Sequence, residues 1–221
     1  MTTGAPTWRY ERAMWRAGHG RVAGVDEVGR GPLAGPVVAG AVVLPRSRAA
    51  WIDRLRDSKV LTARAREELA TAIRRHADWG IGIVSPHVID QIGIVLATHL
   101  AMRIAVRELR QPPDALIVDG REVVSAGIPE QAIIDGDALC VSIAAASIVA
   151  KVARDALMRE LEPLFPGYGF ARNMGYATGE HREALTRLGP CTQHRQAWAP
   201  VRAAAYAHRS LDRSTRGPDA I

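Results

Sequence analysis

The chain has 221 residues, with 29 Lys and Arg against 23 Asp and Glu, a formal net charge of +6. Its 48% hydrophobic and 24% charged residues exclude a disordered or low-complexity chain and are typical of a globular domain. The longest apolar stretches, 37–44 and 138–150, are shorter than the roughly 20 residues that cross a membrane. The N-terminal residues lack the apolar core of a secretion signal, so we expect a cytoplasmic protein without membrane contact. The basic excess suggests an acidic partner such as nucleic acid.

Hydrophobic spacing and turn residues divide the chain into strands and helices. The expected strands, rich in β-branched residues, cover 21–26, 36–44, 79–84 and 115–119. The expected helices, marked by apolar spacing and capping residues, cover 62–77, 85–109 with a break at Gly93, 141–162 and 178–188. Residues 127–139 are predicted to be irregular. A hairpin followed by alternating strands and helices indicates an α/β or α+β layer fold with a mixed sheet.

No repeat or linker divides the body of the chain. We expect a lead-in over 1–20, with a short helix that packs its tryptophans on the body, a single domain over 21–207, and a flexible polar tail over 208–221. Cys140 and Cys191 show no disulfide or zinc pattern and are interpreted as idle thiols.

Carboxylates end two of the expected strands. Asp26 and Glu27 end the first strand and run into glycines, and Asp119 ends the strand 115–119. Considered alone, each of these strand ends could equally well be a solvated terminus followed by a turn as part of a functional site. If the two strands are neighbours, however, these acids meet at one edge of the sheet, where ligands bind in open α/β folds.

Two further acids, Asp135 and Asp137, precede the helix that is rich in small residues. An Asp-Gly turn explains Asp135, whereas Asp137 is a candidate to join the other carboxylates. Gathered carboxylates repel one another unless cations neutralise them, and Mg²⁺ or Mn²⁺ is the natural occupant because such ions prefer oxygen ligands. His181 and His194 stand alone in the sequence, and we expect structural or surface roles for them.

The glycine-rich turn GRGPLA at 29–34 formally matches a dinucleotide-binding fingerprint. That fingerprint needs a helix directly after the glycines, whereas 36–44 has the pattern of a strand, so we reject it. The glycines are better explained as backbone that a bulky ligand approaches, with Arg30 reaching a phosphate or a sugar.

Five motifs, in this order along about residues 20–200, together closely resemble bacterial ribonuclease HII. They are DEVGRGPLAGPVVAGAVVL at 26–44, DSK at 57–59, DG at 119–120, AAASIVAKVARD at 144–155 and GYATGEH at 175–181. The resemblance implies a ribonuclease H-like fold, in which helices flank a mixed five-stranded sheet in a single domain with a short helical C-terminal part.

The resemblance also implies an endonuclease that hydrolyses the RNA strand of RNA–DNA hybrids and nicks duplex DNA 5′ to an embedded ribonucleotide. The reaction implied is hydrolysis with two ions of Mg²⁺ or Mn²⁺, which leaves a 3′-hydroxyl and a 5′-phosphate. A monomer is expected. By position, the four acids of the metal site would be Asp26, Glu27, Asp119 and Asp137. Asp155 also lies in a matching motif, but we interpret it as a salt-bridging residue of the helix.

Substrate contacts carried over from the resemblance involve the glycine turn and the later motifs. The main chain of Gly29, Arg30 and Gly31 would read the ribose 2′-hydroxyl. Tyr176 would stack on the following deoxyribose, although a tyrosine in an irregular segment can also simply pack in a core. The candidate phosphate contacts, each of which could instead be a solvated surface residue, are Lys59, Ser147 and Lys151. Residues 172–174 depart from the family, where many relatives carry His and Lys.

Two other functions fit part of the pattern. A non-catalytic nucleic-acid-binding module would explain the charge equally well, but it has no reason to collect acids beside an arginine that seeks phosphate. Another metal-dependent nuclease of the same general fold is the nearest alternative enzyme.

Overall fold

The structure, a computed structural model, describes residues 4–47 and 49–215. The strands are β1 (Val22–Val28), β2 (Val37–Val43), β3 (Asp78–Val84), β4 (Ala115–Asp119) and β5 (Glu130–Ile133). The helices are α1 (Arg9–Arg16), α2 (Ala63–His76), α3 (Pro86–Ile92), α4 (Ile94–Arg107), α5 (Gly136–Leu139), α6 (Val141–Leu161), α7 (Phe170–Asn173), α8 (Gly179–Leu188) and α9 (Ala199–Thr215). None of the helices in the described part is both long and apolar enough to span a bilayer.

The strands form one mixed sheet in the order β3-β2-β1-β4-β5. β1 and β2 form the antiparallel hairpin that the sequence predicts, and β4 lies parallel to β1 on its other side. Val25 pairs with Val118, so the residues that follow them, Asp26 and Asp119, lie side by side at the same edge. The expected mixed five-stranded α/β fold and the expected neighbouring strands are both confirmed.

Helices cover both faces of the sheet. α4 packs on one face, and α2 and α6 pack on the other. The small residues of α6 let its backbone touch the sheet, since a Cβ atom at Gly24 would lie 2.2 Å from the carbonyl carbon of Ser142. A Cβ atom at Gly40 would likewise lie 2.5 Å from the carbonyl oxygen of Ala146. Glycine is therefore required at both points of contact, because backbone atoms cannot move aside as a side chain can.

Sequence signals locate the helix ends well. Thr62, Ser85 and Thr178 each accept a hydrogen bond from the backbone N–H three residues later, as N-caps do. The lead-in forms the expected short helix, in which the rings of Trp8 and Trp15 lie 5.6 Å apart. Its buried Glu11 accepts hydrogen bonds from the N–H and hydroxyl of Ser142, which fixes α1 to the body.

Two predictions about secondary structure are wrong. Residues 127–139 contain β5 and α5, which were missed because each has only four residues and no apolar period. β5 forms through its pairing with β4, in which Val118 lies opposite Ala132. The expected tail at 208–221 also differs, because α9 continues to Thr215 across the expected boundary. Residues 216–221 lie outside the described part.

Candidate active site

Three carboxylates meet where β1 and β4 end. One oxygen from each of Asp26, Glu27 and Asp119 lies within 4.8 Å of the others. Asp26 is 4% exposed, and the other two are half-buried. A cleft of about 300 Å³ opens beside them and is lined by Glu27, Asp119 and Arg30. The convergence expected from the strand ends is therefore present.

The negative charge of this group is poorly compensated. Burial raises the pKa of Asp26 well above its usual range, and the charges of Glu27, Asp119 and Asp137 raise it further, against a hydrogen bond from Ser147. Burial and Asp137 raise the pKa of Asp119 to about 6, although the N–H of Gly136 donates a 2.7 Å hydrogen bond to it. Close, buried carboxylates with raised pKa values form a suitable site for a divalent cation, because the cation would stabilise their charged forms.

Asp137 lies beside this group but is also paired elsewhere. Its buried carboxylate accepts a 3.1 Å hydrogen bond from Nζ of Lys59, an ion pair in which the lysine side chain is 77% exposed. Its charge still raises the pKa values of Asp26 and Asp119. Asp135, in contrast, is exposed and has a left-handed backbone with φ of 55°, as the turn interpretation requires.

Two buried arginines hold the glycine-rich turn from within the protein. The guanidinium of Arg195 donates to the carbonyls of Gly29, Arg30 and Gly35. Arg154 donates in the same way to the carbonyls of Ala34, Pro36 and Met174. Burial and the nearby Arg154 lower the pKa of Arg195 to about 9, so the cation is retained at neutral pH. The turn is therefore fixed by charged donors on its carbonyls.

Sequence reasoning missed both arginines in this role. Arg154 lies in the AKVARD motif, and that motif was the available signal. Arg195 has no local signal, because its partners are about 160 residues away along the chain. Arg154 packs closely against the turn, since a Cβ atom at Gly29 would lie 2.1 Å from its Nε atom. The φ angle of Gly29 is +89°, which also favours glycine there.

Two candidate substrate contacts border the turn. Arg30 extends outward, with half of its side chain exposed, and pairs with Glu27 at 3.2 Å. Tyr176 is 42% exposed, and its Cε1 atom lies 3.9 Å from where a Cβ atom of Gly31 would be. The Tyr176 ring therefore lies against the turn and keeps a solvent-exposed part, unlike a core tyrosine.

The other candidate phosphate contacts lie at different depths. Ser147 is buried, and its hydroxyl lies 2.8 Å from that of Ser58 and beneath Asp26. Lys151 donates a 2.6 Å hydrogen bond to Asp155, and both side chains are largely buried. The salt-bridging interpretation of Asp155 is confirmed. Among the three candidates, Lys59 presents the most exposed side chain to solvent.

The structural role expected for the two histidines is confirmed, but they do not stand alone. His181 and His194 are both buried, and their Nε2 atoms lie 3.0 Å apart. The idle-thiol interpretation fits Cys140, which is buried, whereas Sγ of Cys191 lies 3.2 Å from Nδ1 of His194.

Charge repulsion in the carboxylate group has a measurable consequence. Without divalent cations, Asp26→Asn is expected to raise the midpoint of thermal unfolding by about 2–4 °C, the shift that about 1 kcal/mol produces in a chain of this size. The gain should shrink as the pH is lowered, because Asp26 of the wild type then takes up a proton. Calorimetry of both proteins in EDTA at several pH values measures this difference in the midpoint. A lower midpoint for the variant at neutral pH would contradict the repulsion.

Comparison with known proteins identifies the family. The family model described as ribonuclease HII matches residues 23–201. Ribonuclease HII of Rhodospirillum rubrum is 54% identical over 196 residues, which are 87% of this chain and 90% of that protein. Ribonuclease HII of Dehalococcoides mccartyi is 48% identical over 199 residues, 89% of this chain and 94% of that protein.

A solved structure agrees with these relatives. The crystal structure of ribonuclease H2 from Pyrococcus horikoshii OT3 matches with a TM-score of 0.73 at 28% identity, covering 86% of this chain and 99% of that one. The resemblance noted in the five motifs is thereby confirmed. The chain belongs to the ribonuclease HII family and is an enzyme of the ribonuclease H type.

Proposed function

We propose that the protein is a metal-dependent endonuclease that hydrolyses the RNA strand of RNA–DNA hybrids and nicks duplex DNA on the 5′ side of an embedded ribonucleotide. The observation that carries the proposal is the group of three carboxylates, whose poorly compensated charge faces a cleft beside the glycine-rich turn. A module that only binds polyanions would be weakened by such a group, because the acids repel phosphate.

The carboxylates Asp26, Glu27 and Asp119 would hold Mg²⁺ or Mn²⁺, with Asp137 as the fourth acid beside them. Two such ions, if held there, would supply activation of a water molecule and stabilisation of negative charge on a leaving 3′-oxygen. Ser147 keeps Asp26 in place by a hydrogen bond. Lys59 holds Asp137 through its ion pair and carries an exposed ammonium group toward solvent, where a phosphate can reach it.

Recognition of the ribose would come from the glycine-rich turn. Arg195 and Arg154 fix its carbonyls, so the turn needs little rearrangement when a nucleotide binds. Gly31 has no side chain, which lets a sugar approach the main chain and read its 2′-hydroxyl there. The exposed part of the Tyr176 ring lies beside Gly31, in position to stack on the next sugar.

The test uses labelled duplex DNA with one ribonucleotide, a uniform RNA–DNA hybrid and an all-DNA duplex. Each is incubated with Mg²⁺, with Mn²⁺ or with EDTA. We expect a nick 5′ to the ribonucleotide and cleavage of the hybrid, each with either ion, and no product in EDTA or on all-DNA duplex. Salt-sensitive binding without cleavage would overturn the proposal and favour a binding module.

Tyr176 should control selectivity more than turnover. Tyr176→Ala is expected to reduce kcat/KM for the single-ribonucleotide duplex about tenfold relative to the uniform hybrid, equivalent to about 1.4 kcal/mol, because it removes the exposed ring beside Gly31 against which the following deoxyribose would pack. The matched variant Tyr176→Phe keeps the ring and should keep the ratio of the two kcat/KM values. Equal losses on both substrates in Tyr176→Ala would contradict this role.

A further inference from the structure

A chain of hydrogen bonds runs through the buried histidine pair and ends at Tyr176. The backbone N–H of Cys191 donates to Nδ1 of His194 over 3.0 Å. Nε2 of His194 lies 3.0 Å from Nε2 of His181. Nδ1 of His181 lies 2.8 Å from the carbonyl oxygen of Tyr176. The chain therefore connects the segment at 191–194 to the residue that borders the glycine-rich turn.

The donors and acceptors of this chain fix one tautomer for each ring. Nδ1 of His194 accepts from Cys191, so a neutral ring carries its proton on Nε2. That proton is donated to Nε2 of His181, which leaves the proton of His181 on Nδ1. Nδ1 of His181 then donates to the carbonyl of Tyr176, which can only accept. Each hydrogen bond of the chain is thus donated in the same direction, from Cys191 toward Tyr176.

Burial keeps both rings in the neutral form that the chain requires. Burial lowers the pKa of His181, and burial together with the neighbouring His181 lowers the pKa of His194 to about 4. The rings of Tyr168 and Phe170 pack against His194 with centroids 4.8 and 5.6 Å away, which excludes water from the pair.

The same segment also holds the glycine-rich turn. His194 forms a backbone bridge to Ala34, and the next residue, Arg195, donates to the carbonyls of the turn. The carbonyl of Gly175 in turn accepts from the N–H of Leu33 over 2.8 Å. The turn and Tyr176 are therefore attached to one short segment.

We propose that His194 and His181 are positioning residues for ribose recognition, and that their directional hydrogen bonds hold Tyr176 at a fixed place beside the glycine-rich turn. This inference rests on the proposed function, because it assigns Tyr176 to the sugar that follows the ribonucleotide. A pair that only fills the core would need neither a defined tautomer nor a donor aimed at Tyr176.

The first measurement is independent of activity. Long-range ¹H–¹⁵N correlation spectra of histidine-labelled protein at pH 7 report which ring nitrogen of each histidine carries the proton. We expect the proton on Nε2 in His194 and on Nδ1 in His181, with assignments from the spectra of His181→Asn and His194→Gln. The opposite tautomer in either ring, or a charged ring, would overturn the inference.

The second measurement compares two substitutions that both remove the contact with Nε2 of His194. His181→Asn places an amide N–H where Nδ1 was and can still donate to the carbonyl of Tyr176, whereas His181→Phe cannot. We expect His181→Phe to lower the selectivity for the single-ribonucleotide duplex over the hybrid about fivefold, the effect of losing one hydrogen bond. His181→Asn should lower the selectivity less than His181→Phe does, because it keeps the donor to Tyr176 and loses only the bond through which His194 orients that donor.

The variant Tyr176→Ala distinguishes a failure of this inference from a failure of the proposed function. In the double variant Tyr176→Ala with His181→Phe, we expect no loss of selectivity beyond that of Tyr176→Ala alone. Additive losses, or an unchanged ratio in a folded His181→Phe protein, would overturn the inference while cleavage by the wild type upholds the proposed function. If the wild type cleaves neither substrate, the proposed function fails, and the inference falls with it whatever the tautomers are.

Discussion

Asparagine in place of Asp26 is expected to reduce cleavage of the hybrid and of the single-ribonucleotide duplex by about a thousand-fold or more, equivalent to about 4 kcal/mol of transition-state stabilisation. The substitution removes the charge of the most buried carboxylate of the group and hardly changes its volume. The amide oxygen can still accept the 2.7 Å hydrogen bond from the N–H of Glu27. Folding and duplex binding should therefore persist while hydrolysis is lost.

Single-turnover kinetics with Mg²⁺, together with a binding assay in Ca²⁺ or EDTA, separates these effects. The matched control is Asp135→Asn, which removes a carboxylate from an exposed left-handed position that asparagine tolerates well. This control should keep its activity within about twofold, since a substitution at such a surface site has a small effect. A folded Asp26→Asn protein that cleaves at the wild-type rate would show that the metal site is elsewhere.

Loss of Arg195 is expected to have the largest effect on stability. Arg195→Leu should lower the free energy of unfolding by about 3–5 kcal/mol, because it leaves the buried carbonyls of Gly29 and Gly35 and the partly buried carbonyl of Arg30 without their donor. The turn should also lose its shape, so the residual activity of the folded fraction should fall. Urea unfolding followed by circular dichroism measures the change.

Arg64→Leu is the matched control for this substitution. Its side chain is 91% exposed and pairs with Glu68 on the surface of α2, so the change in unfolding free energy should stay within about 0.5 kcal/mol. If Arg195→Leu had an equally small effect, the guanidinium would not be what holds the turn.

The carboxylates of the site could be predicted from the sequence, but the residues that contact them could not. Asp26, Glu27 and Asp119 could be found because each follows an apolar strand, and parallel neighbours end at the same edge of a sheet. Asp135 could be set aside as part of an Asp-Gly turn, whereas the place of Asp137 in the metal site came only from the resemblance. The structure separates them by burial and by the ion pair with Lys59.

Contacts between distant segments leave no periodic signal in a sequence. β5 has four residues and owes its conformation to β4, so local propensity could not predict it. The partners of Arg195 lie at the opposite end of the chain, and an isolated arginine in sequence is usually a surface residue. The histidine pair joins positions 13 residues apart through a helix and a loop.

The close contact between α6 and the sheet has a consequence for how this chain tolerates mutation. Gly40 pairs with Asp26 across the hairpin and touches the carbonyl of Ala146, which precedes the serine that binds Asp26. A methyl group at Gly40 would lift the helix and with it the hydroxyl that supports the carboxylate. In a saturation survey scored by activity, Gly40 should therefore be as intolerant as the acids, although it carries no reactive group. At such a position only glycine is accepted, because the backbone of the helix occupies the place where a Cβ atom would lie.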